Sequence, residues 1–350
     1  MEGLGAEGRN LEDGVSFSGH ERNHLFLNRA GRDFVDASGV SALDDPADAR
    51  AFAWLDFDRD GWLDLAVVNA NRPLLQIFHN ELSGAIDAPR DVLAFRFAGA
   101  HREATPARGK SPRDGYGARV EVTLPDGRLV REHRAGEGFA AQNSATLLVG
   151  LGDVSRVPLV TVHWPSGLSQ RIEDVPAGSL LRVDEVEGIR VAGPYRVDPS
   201  IALPEPPPPR PSGEAPLALV AAHAPAPLNV LTTMATWCEA CQSDLPHVQS
   251  LRDAFPPEEV RLLGVPVDAS DRPDMLEAWR ARHRPVYELL VGTVGSAPVE
   301  AVRARILARL HREGIPASLV TDRAGNVLHA GWGVPTVSKL RELRAQSSAR

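Results

Sequence analysis

The residues most able to do chemistry in this chain are its cysteines. Cys238 and Cys241 are the only 2 among 350 residues, and they stand with two residues between them in ATWCEACQ at 235–242. A structural disulfide across so short a loop would restrict the unfolded chain little, because closure entropy grows with the number of residues enclosed. Zinc uses C-x-x-C pairs but needs two more ligands, and neither His247 nor the upstream His223 repeats a ligand spacing. A dithiol that opens and closes is the remaining reading, and it depends on what surrounds the pair.

The surroundings favour it. The apolar and β-branched run 229–236 reads as a buried strand, and 240–255 places Leu245, Val248, Leu251 and Phe255 at helical spacing. The cysteines therefore sit where a strand hands over to a helix. Unpaired N–H groups and the macrodipole at a helix start favour an anion, which would make Cys238 the better nucleophile. Cys241, about one turn on, would face it and could resolve a mixed disulfide. Pro246 is expected to kink the helix.

Trp237 with the C-x-x-C pair, Asp244-Leu245-Pro246 behind it, and GIPASLVTDRAG at 314–325 together resemble a thioredoxin-like domain of the TlpA/ResA type. The resemblance implies an α/β domain over 217–345 with Cys238 attacking, Cys241 resolving, and Ile315-Pro316 as a cis-proline bond facing the dithiol beside Trp237. Residues 322–325 then read as a hairpin turn. Several positions depart from the family. Glu239 puts a negative charge next to the nucleophile, which opposes thiolate formation. Thr232 stands where thioredoxins carry a buried acid, so Asp244 is the candidate substitute as proton acceptor, against the alternative of an exposed helical carboxylate. The middle of the domain is long, with a helix expected over 299–310 from Val302, Ile306 and Leu310.

A second motif lies far upstream. Asp56, Asp58, Asp60, Gly61 and Asp64 spell D-x-D-x-D-G-x-x-D. Alternate carboxylates on a tight loop can converge on a hard cation at about 2.4 Å, with Gly61 making the sharp turn and Trp62 offering its carbonyl. Calcium suits such an oxygen-only, charge-rich loop better than zinc or copper, and it would be structural. An EF-hand would need an acid where Val67 stands, and the flanks read as strands. A solvated acidic turn without metal is the alternative.

LFLN at 25–28 recurs as IFHN at 77–80 around this loop, and the stretch 15–82 resembles a VCBS/FG-GAP repeat, a propeller-blade-like β unit. One loop cannot close a propeller, so the unit reads as the tail of a larger one or a degenerate single copy. GARV at 117–120, GEGF at 136–139, GLG at 150–152 and VHWPSG at 162–167 resemble the ASPIC/UnbV domain, over 91–186. The same segment reads as all-β by alternation around Pro125-Asp126-Gly127, with His133 and His163 as lone histidines in strands. The run 203–216, LPEPPPPRPSGEAP, can form neither helix nor central strand and reads as a stiff linker.

The whole is a multidomain chain, β-rich in front and α/β behind. A net charge of −8 without a long basic run argues against nucleic acid as main partner. The first residues show no signal peptide, and no run is apolar enough for a membrane span. The family resemblances and a modest calcium loop imply a periplasmic or extracellular setting. The expected function is a thiol–disulfide oxidoreductase acting on protein dithiols and disulfides with a redox partner protein, without an organic cofactor. The alternative is a calcium-dependent binding or adhesion module in which the thioredoxin-like part is a scaffold. A copper- or haem-handling chaperone lacks a third nearby soft ligand.

Overall fold

Runs of alternating apolar residues cut by glycine turns build five sheets among the described residues. The computed structural model describes residues 21–29, 31–71, 73–82, 91–105, 108–196, 214–221, 223 and 226–348. They divide into two units: the segment up to Asp48 joined with the C-terminal part, and the region from Ala49 onward. Most of the expected linker, 203–213, and the residues 15–20 of the expected repeat lie outside the described residues. Among the described residues no helix is long and apolar enough to cross a membrane.

The described residues start with β1 (Phe26–Asn28) and β2 (Phe34–Asp36), an antiparallel pair, and a single-turn helix α1 (Ser38–Ser41). This segment is fastened to the C-terminal part by polar contacts. The Arg22 guanidinium donates to the carbonyls of Val334 (2.9 Å) and Pro335 (3.0 Å). The Asp44 carboxylate accepts from the Ser338 N–H at 3.1 Å and from its hydroxyl, which caps the last helix. The two halves of the LFLN/IFHN echo thus part company: the first clusters with the C-terminal part, the second with the acidic loop.

The other unit begins with β3 (Ala49–Leu55), β4 (Asp64–Asn69) and β5 (Leu75–Phe78), an antiparallel three-stranded sheet. Beyond it lie β6 (Asp91–Ala98), β7 (Arg119–Leu124), β8 (Gly127–Glu132), β9 (Thr146–Gly152), β10 (Arg156–His163), β11 (Ser169–Pro176), β12 (Ser179–Asp184) and β13 (Gly188–Pro194). They form two four-stranded sheets, ordered β13-β12-β6-β9 and β11-β10-β7-β8. Leu93, Phe95, Leu181 and Val183 from one sheet and Val120, Val122, Val160 and Val162 from the other share one buried core. Period-two alternation puts these side chains on the inner faces, each worth roughly 1.5–3 kcal/mol of apolar burial.

The C-terminal part opens with the short helix α2 (Ala218–Ala221) and centres on β14 (Leu228–Met234), buried at every position. A strand without a polar face must be covered on both sides. Parallel to it run β15 (Val260–Pro266) and β16 (Glu288–Leu289); antiparallel on the other side run β17 (Ala317–Asp322) and β18 (Val327–Trp332). The helices α3 (Glu239–Ser243), α4 (Leu245–Ala254), α5 (Pro273–His283) and α7 (Val337–Ser348) belong to the face carrying Val230 and Met234. Helix α6 (Ala297–Leu310) covers the face carrying Leu231, Leu263 and Leu319. The single kinked helix expected over 240–255 is instead two helices meeting at Asp244, with Pro246 in the first turn of the second. There its missing N–H costs nothing, because first-turn donors have no intrahelical acceptor.

Candidate functional site

Strand β14 is central in its sheet, and the turn that leads from it into the start of α3 carries the cysteines. Cys238 is the N-cap of α3, with its Sγ 3.0 Å from the Cys241 N–H. Both cysteines are buried, at 3% and 5% exposure, and are joined as a disulfide. Trp237 beside them is 61% exposed. The Ile315–Pro316 peptide bond is cis, as the resemblance implies. A groove of about 190 Å³ runs past Trp237 and Ile315, walled by Val267, Ile306 and Leu307 and rimmed by Arg312.

Two residues that sequence reasoning missed hold this corner in place. Asp271 is buried and accepts from the Thr236 N–H (3.0 Å) and hydroxyl (2.5 Å). Asp268 accepts from the Trp237 indole N–H at 2.6 Å; hydrogen bonds from Ser270 and then from Trp237 hold its carboxyl below the usual range. Both lie in the loop after β15, the parallel neighbour of β14. The apolar run Val260–Pro266 just ahead of them was the local signal, and sequence reasoning did not use it.

Behind the dithiol, Thr232 is buried and its hydroxyl meets that of Ser318 at 2.9 Å, so no acid stands on the strand at this position. Asp244 is buried, not an exposed helical carboxylate. Its Oδ1 lies 3.5 Å from the His247 imidazole, while its Oδ2 is buried without a hydrogen-bond partner. That oxygen faces Gly333, where a Cβ would come within 3.2 Å of it, and the φ of +67° also favours glycine. Gly333 in turn donates its N–H to the Pro316 carbonyl at 2.9 Å. Arg22 approaches the same corner, and burial lowers its pKa against the pull of Asp44 and Asp244. One short loop thereby touches the cis-proline, the buried acid and the N-terminal segment.

The acidic loop forms the turn between β3 and β4, where Gly61 at φ +90° allows the chain to reverse. Backbone donors arrange it: Gly61 N–H to Asp56 (3.0 Å), Asp60 N–H to Asp58 (3.2 Å), Trp62 N–H to Asp60 (2.8 Å). Asp64 is buried and accepts from the N–H groups of Phe57 (3.0 Å) and Asn80 (2.9 Å). Two overlapping groups, Asp56, Asp58, Asp64 and Asp58, Asp60, His79, each bring one ligand atom per residue within 4.8 Å of the others. His79, which sequence reasoning left out of the ligand set, lies 3.0 Å from Asp58. Burial pushes the Asp56 carboxyl up to about 6 and raises Asp64 too, and the charges of Asp60 and Asp58 add to this. The Asp56 Oδ1 is buried without a hydrogen-bond partner. Crowded, partly desolvated carboxylates with an orphan oxygen are what a hard cation would relieve.

His133 and His163 play structural parts. His133 is stacked between Phe97 and Tyr116 with its Nε2 on the Asp114 carbonyl. His163 meets Ser169 across the β10–β11 pair.

Residues 108–190 match the family described as ASPIC and UnbV. A search of curated proteins returns no match. Among solved structures, the chain is similar over 34% of its length to 81% of StoA from Bacillus subtilis, at 21% identity and a TM-score of 0.25. It is similar over 37% to 85% of the thioredoxin-like superfamily protein SPOA0173, at 20% identity and a TM-score of 0.30. A thiol:disulfide interchange protein from Chlorobium tepidum aligns over 33% of this chain and 79% of its own, at 19% identity and a TM-score of 0.28.

Proposed function

We propose that the C-terminal part is thioredoxin-like, of the TlpA/ResA type, and that the chain is a thiol–disulfide oxidoreductase acting on protein substrates outside the cytoplasm. The observation that carries this reading is the Cys238–Cys241 disulfide at the N-cap of α3, beside an exposed tryptophan and a cis-proline. In the oxidising direction a substrate thiolate attacks the Cys238 sulfur. The Cys238–Cys241 bond breaks, a substrate–Cys238 bond forms, and Cys241 leaves with the electron pair. A second substrate thiol then displaces Cys238, leaving the substrate oxidised and the pair reduced. In the other direction the Cys238 thiolate opens a substrate disulfide and Cys241 resolves it. The unpartnered oxygen of Asp244, one turn past Cys241, is the group we assign to carry the Cys241 proton. The groove along Trp237 and Ile315 receives the substrate chain.

The test is a redox-buffer titration with alkylation and mass counting of free thiols. One two-electron transition involving both cysteines is expected, and its midpoint tells which way electrons run. Thiols that stay oxidised in excess reductant, or resist alkylation once reduced, would leave the pair a structural staple. The chain would then be a calcium-dependent binding module, the reading favoured in that case by the acidic loop.

We assign that loop to calcium, with Asp56, Asp58, Asp60 and Asp64 and the Trp62 carbonyl as oxygen donors, and His79 orienting Asp58. Its support is the orphan Asp56 oxygen and the two raised carboxyls. A bound calcium supplies cross-linking charge, not redox chemistry. A loop of this kind fills where calcium is abundant, which fits the same setting outside the cytoplasm. Sharing this loop with a VCBS/FG-GAP repeat remains part of the proposal.

A further inference from the structure

The outer face of the β13-β12-β6-β9 sheet holds an arrangement that neither the redox nor the calcium reading uses. Arg182 on β12 is in register with Arg96 on β6 and with Arg190 on β13. Arg96 is in turn opposite Thr146 on β9 and donates to its hydroxyl at 2.6 Å. Three arginines thus stand side by side across adjacent strands. Like charges directly opposite one another destabilise a sheet, so such a row has to be explained.

The companion sheet of the same domain shows what a merely solvated face looks like. There Glu121 receives Arg119 at 3.0 Å and Arg128 at 3.7 Å, and Arg156 is paired with Asp174 at 2.6 Å. In the arginine row, by contrast, Arg96, Arg182 and Arg190 make no ion pair among the described residues. The next polar position on the same face, Asp184, is engaged elsewhere: it pairs with Arg102 at 2.6 Å and accepts from the N–H groups of Val186 and Glu187.

The row also forms one wall of a cavity of about 820 Å³. The lining also holds a fourth arginine, Arg59, whose guanidinium donates to the Tyr195 carbonyl at 2.5 Å and lies 5.1 Å from the centre of its ring. Asp56, Asp184 and Glu187 are the carboxylates on the lining. Guanidinium groups present paired donors that match phosphate and sulfate oxygens, and neighbouring strands set them on the order of 5 Å apart.

We propose that this cavity binds an oligoanionic small molecule, with phosphate or sulfate groups spaced about one strand apart, across Arg96, Arg182 and Arg190. One anionic group sits between Arg96 and Arg182 and the next between Arg182 and Arg190, so Arg182 is shared. A single oxyanion reaches only one of the two positions.

The experiment is calorimetric titration of the full chain in metal-free buffer at fixed ionic strength. The probes are inorganic triphosphate, whose two terminal phosphates stand about one strand spacing apart, a disulfated disaccharide and, as the single-anion control, orthophosphate. Saturable binding of triphosphate or the disaccharide at least tenfold tighter than orthophosphate is expected, and the tighter of the two tells a phosphorylated ligand from a sulfated one. Arg182→Gln should weaken it at least tenfold and Arg190→Gln by less. All three arginines are exposed on a strand surface, and an unchanged melting transition of the unit that carries them shows that the variants are folded. Absence of saturable binding of either oligoanion at millimolar concentration overturns the proposal. So does binding no tighter than orthophosphate, or binding that survives in the Arg96→Gln/Arg182→Gln/Arg190→Gln protein.

Discussion

The dithiol and the acidic loop are both short motifs at the end of a strand, yet they are held by opposite means. Around the dithiol β14 is buried at every position, the nearby acids Asp268 and Asp271 have their hydrogen bonds filled by Trp237, Ser270 and Thr236, and the unpartnered oxygen of Asp244 has the Arg22 charge close by. That geometry is complete without a ligand. Around the acidic loop the backbone supplies the turn, but burial and mutual repulsion raise Asp56 and Asp64, and one Asp56 oxygen has no hydrogen-bond partner. The difference teaches that a disulfide corner can be assembled from packing and hydrogen bonds, whereas a crowded acidic loop leaves a charge to be met from solution.

The sharpest way to break this contrast is a crossed pair of substitutions. Cys238→Ser should lower disulfide-exchange turnover by roughly 10³-fold or more, since the one thiol left, Cys241, has no partner with which to close a disulfide. Its unfolding midpoint should stay within a degree or two of the reduced parent protein. Asp58→Ala should do the reverse, leaving turnover intact and lowering the midpoint in calcium. Turnover surviving in Cys238→Ser would remove the chemistry from this site. The second effect is the calcium itself. At a hundredfold excess over Kd, calcium should stabilise the loop's unit by about 2.7 kcal/mol, read as a rise in its melting transition that chelator reverses. Asp58→Ala should abolish that rise, and an equal loss of stability in calcium and in chelator would sink the metal assignment.

Much of this was legible in the sequence, and what was legible was local. The strand-to-helix position of the cysteines, the hairpin at 322–325 and the strands flanking the acidic loop follow from periods of a few residues. The supports were not legible. Asp268 and Asp271 reach the dithiol through a parallel pairing of β14 with β15, and His79 reaches Asp58 through the pairing of β4 with β5. Nothing local marks such partners, because the contact exists only once a register is chosen. The segment 21–48 shows the same limit: its short strands fit a repeat by pattern, while Arg22 and Asp44 tie it to Val334, Pro335 and Ser338, some 300 positions away. The arginine row is another product of register, since Arg96, Arg182 and Arg190 look unrelated until the strands are aligned.

Acid should drive the two regions apart. Burial pushes His329 on β18 down to about 4 from 6.5, with Lys339 adding to the effect. A histidine depressed in the folded state stabilises fully above the unfolded value, and that stability is lost as pH falls from 6.5 towards 4. The loss in the C-terminal part should reach at most about 3 kcal/mol. Asp56 has the opposite sign: its folded value is raised to about 6 from 3.8, so in chelator the loop's unit should gain stability as pH falls through that window. Melting curves in chelator between pH 7 and 4 should show the two transitions moving in opposite directions. Parallel movement would mean that one of these groups is not held as described.

The smallest expected effect bears on the dithiol side of the comparison. Asp271→Ala strips the acceptor from the Thr236 N–H and hydroxyl two residues ahead of Cys238. An unsatisfied buried donor costs roughly 1–3 kcal/mol, so the C-terminal transition should fall by that amount. Asp271→Asn keeps one acceptor oxygen and should recover part of it. Because Thr236 sets where Trp237 and Cys238 begin, Asp271→Ala should also shift the redox midpoint, a readout that a purely global loss of stability would not move. Should the midpoint stay fixed while stability falls, the dithiol owes its geometry to β14 and α3 alone, and the acids past β15 are anchors for the loop and nothing more.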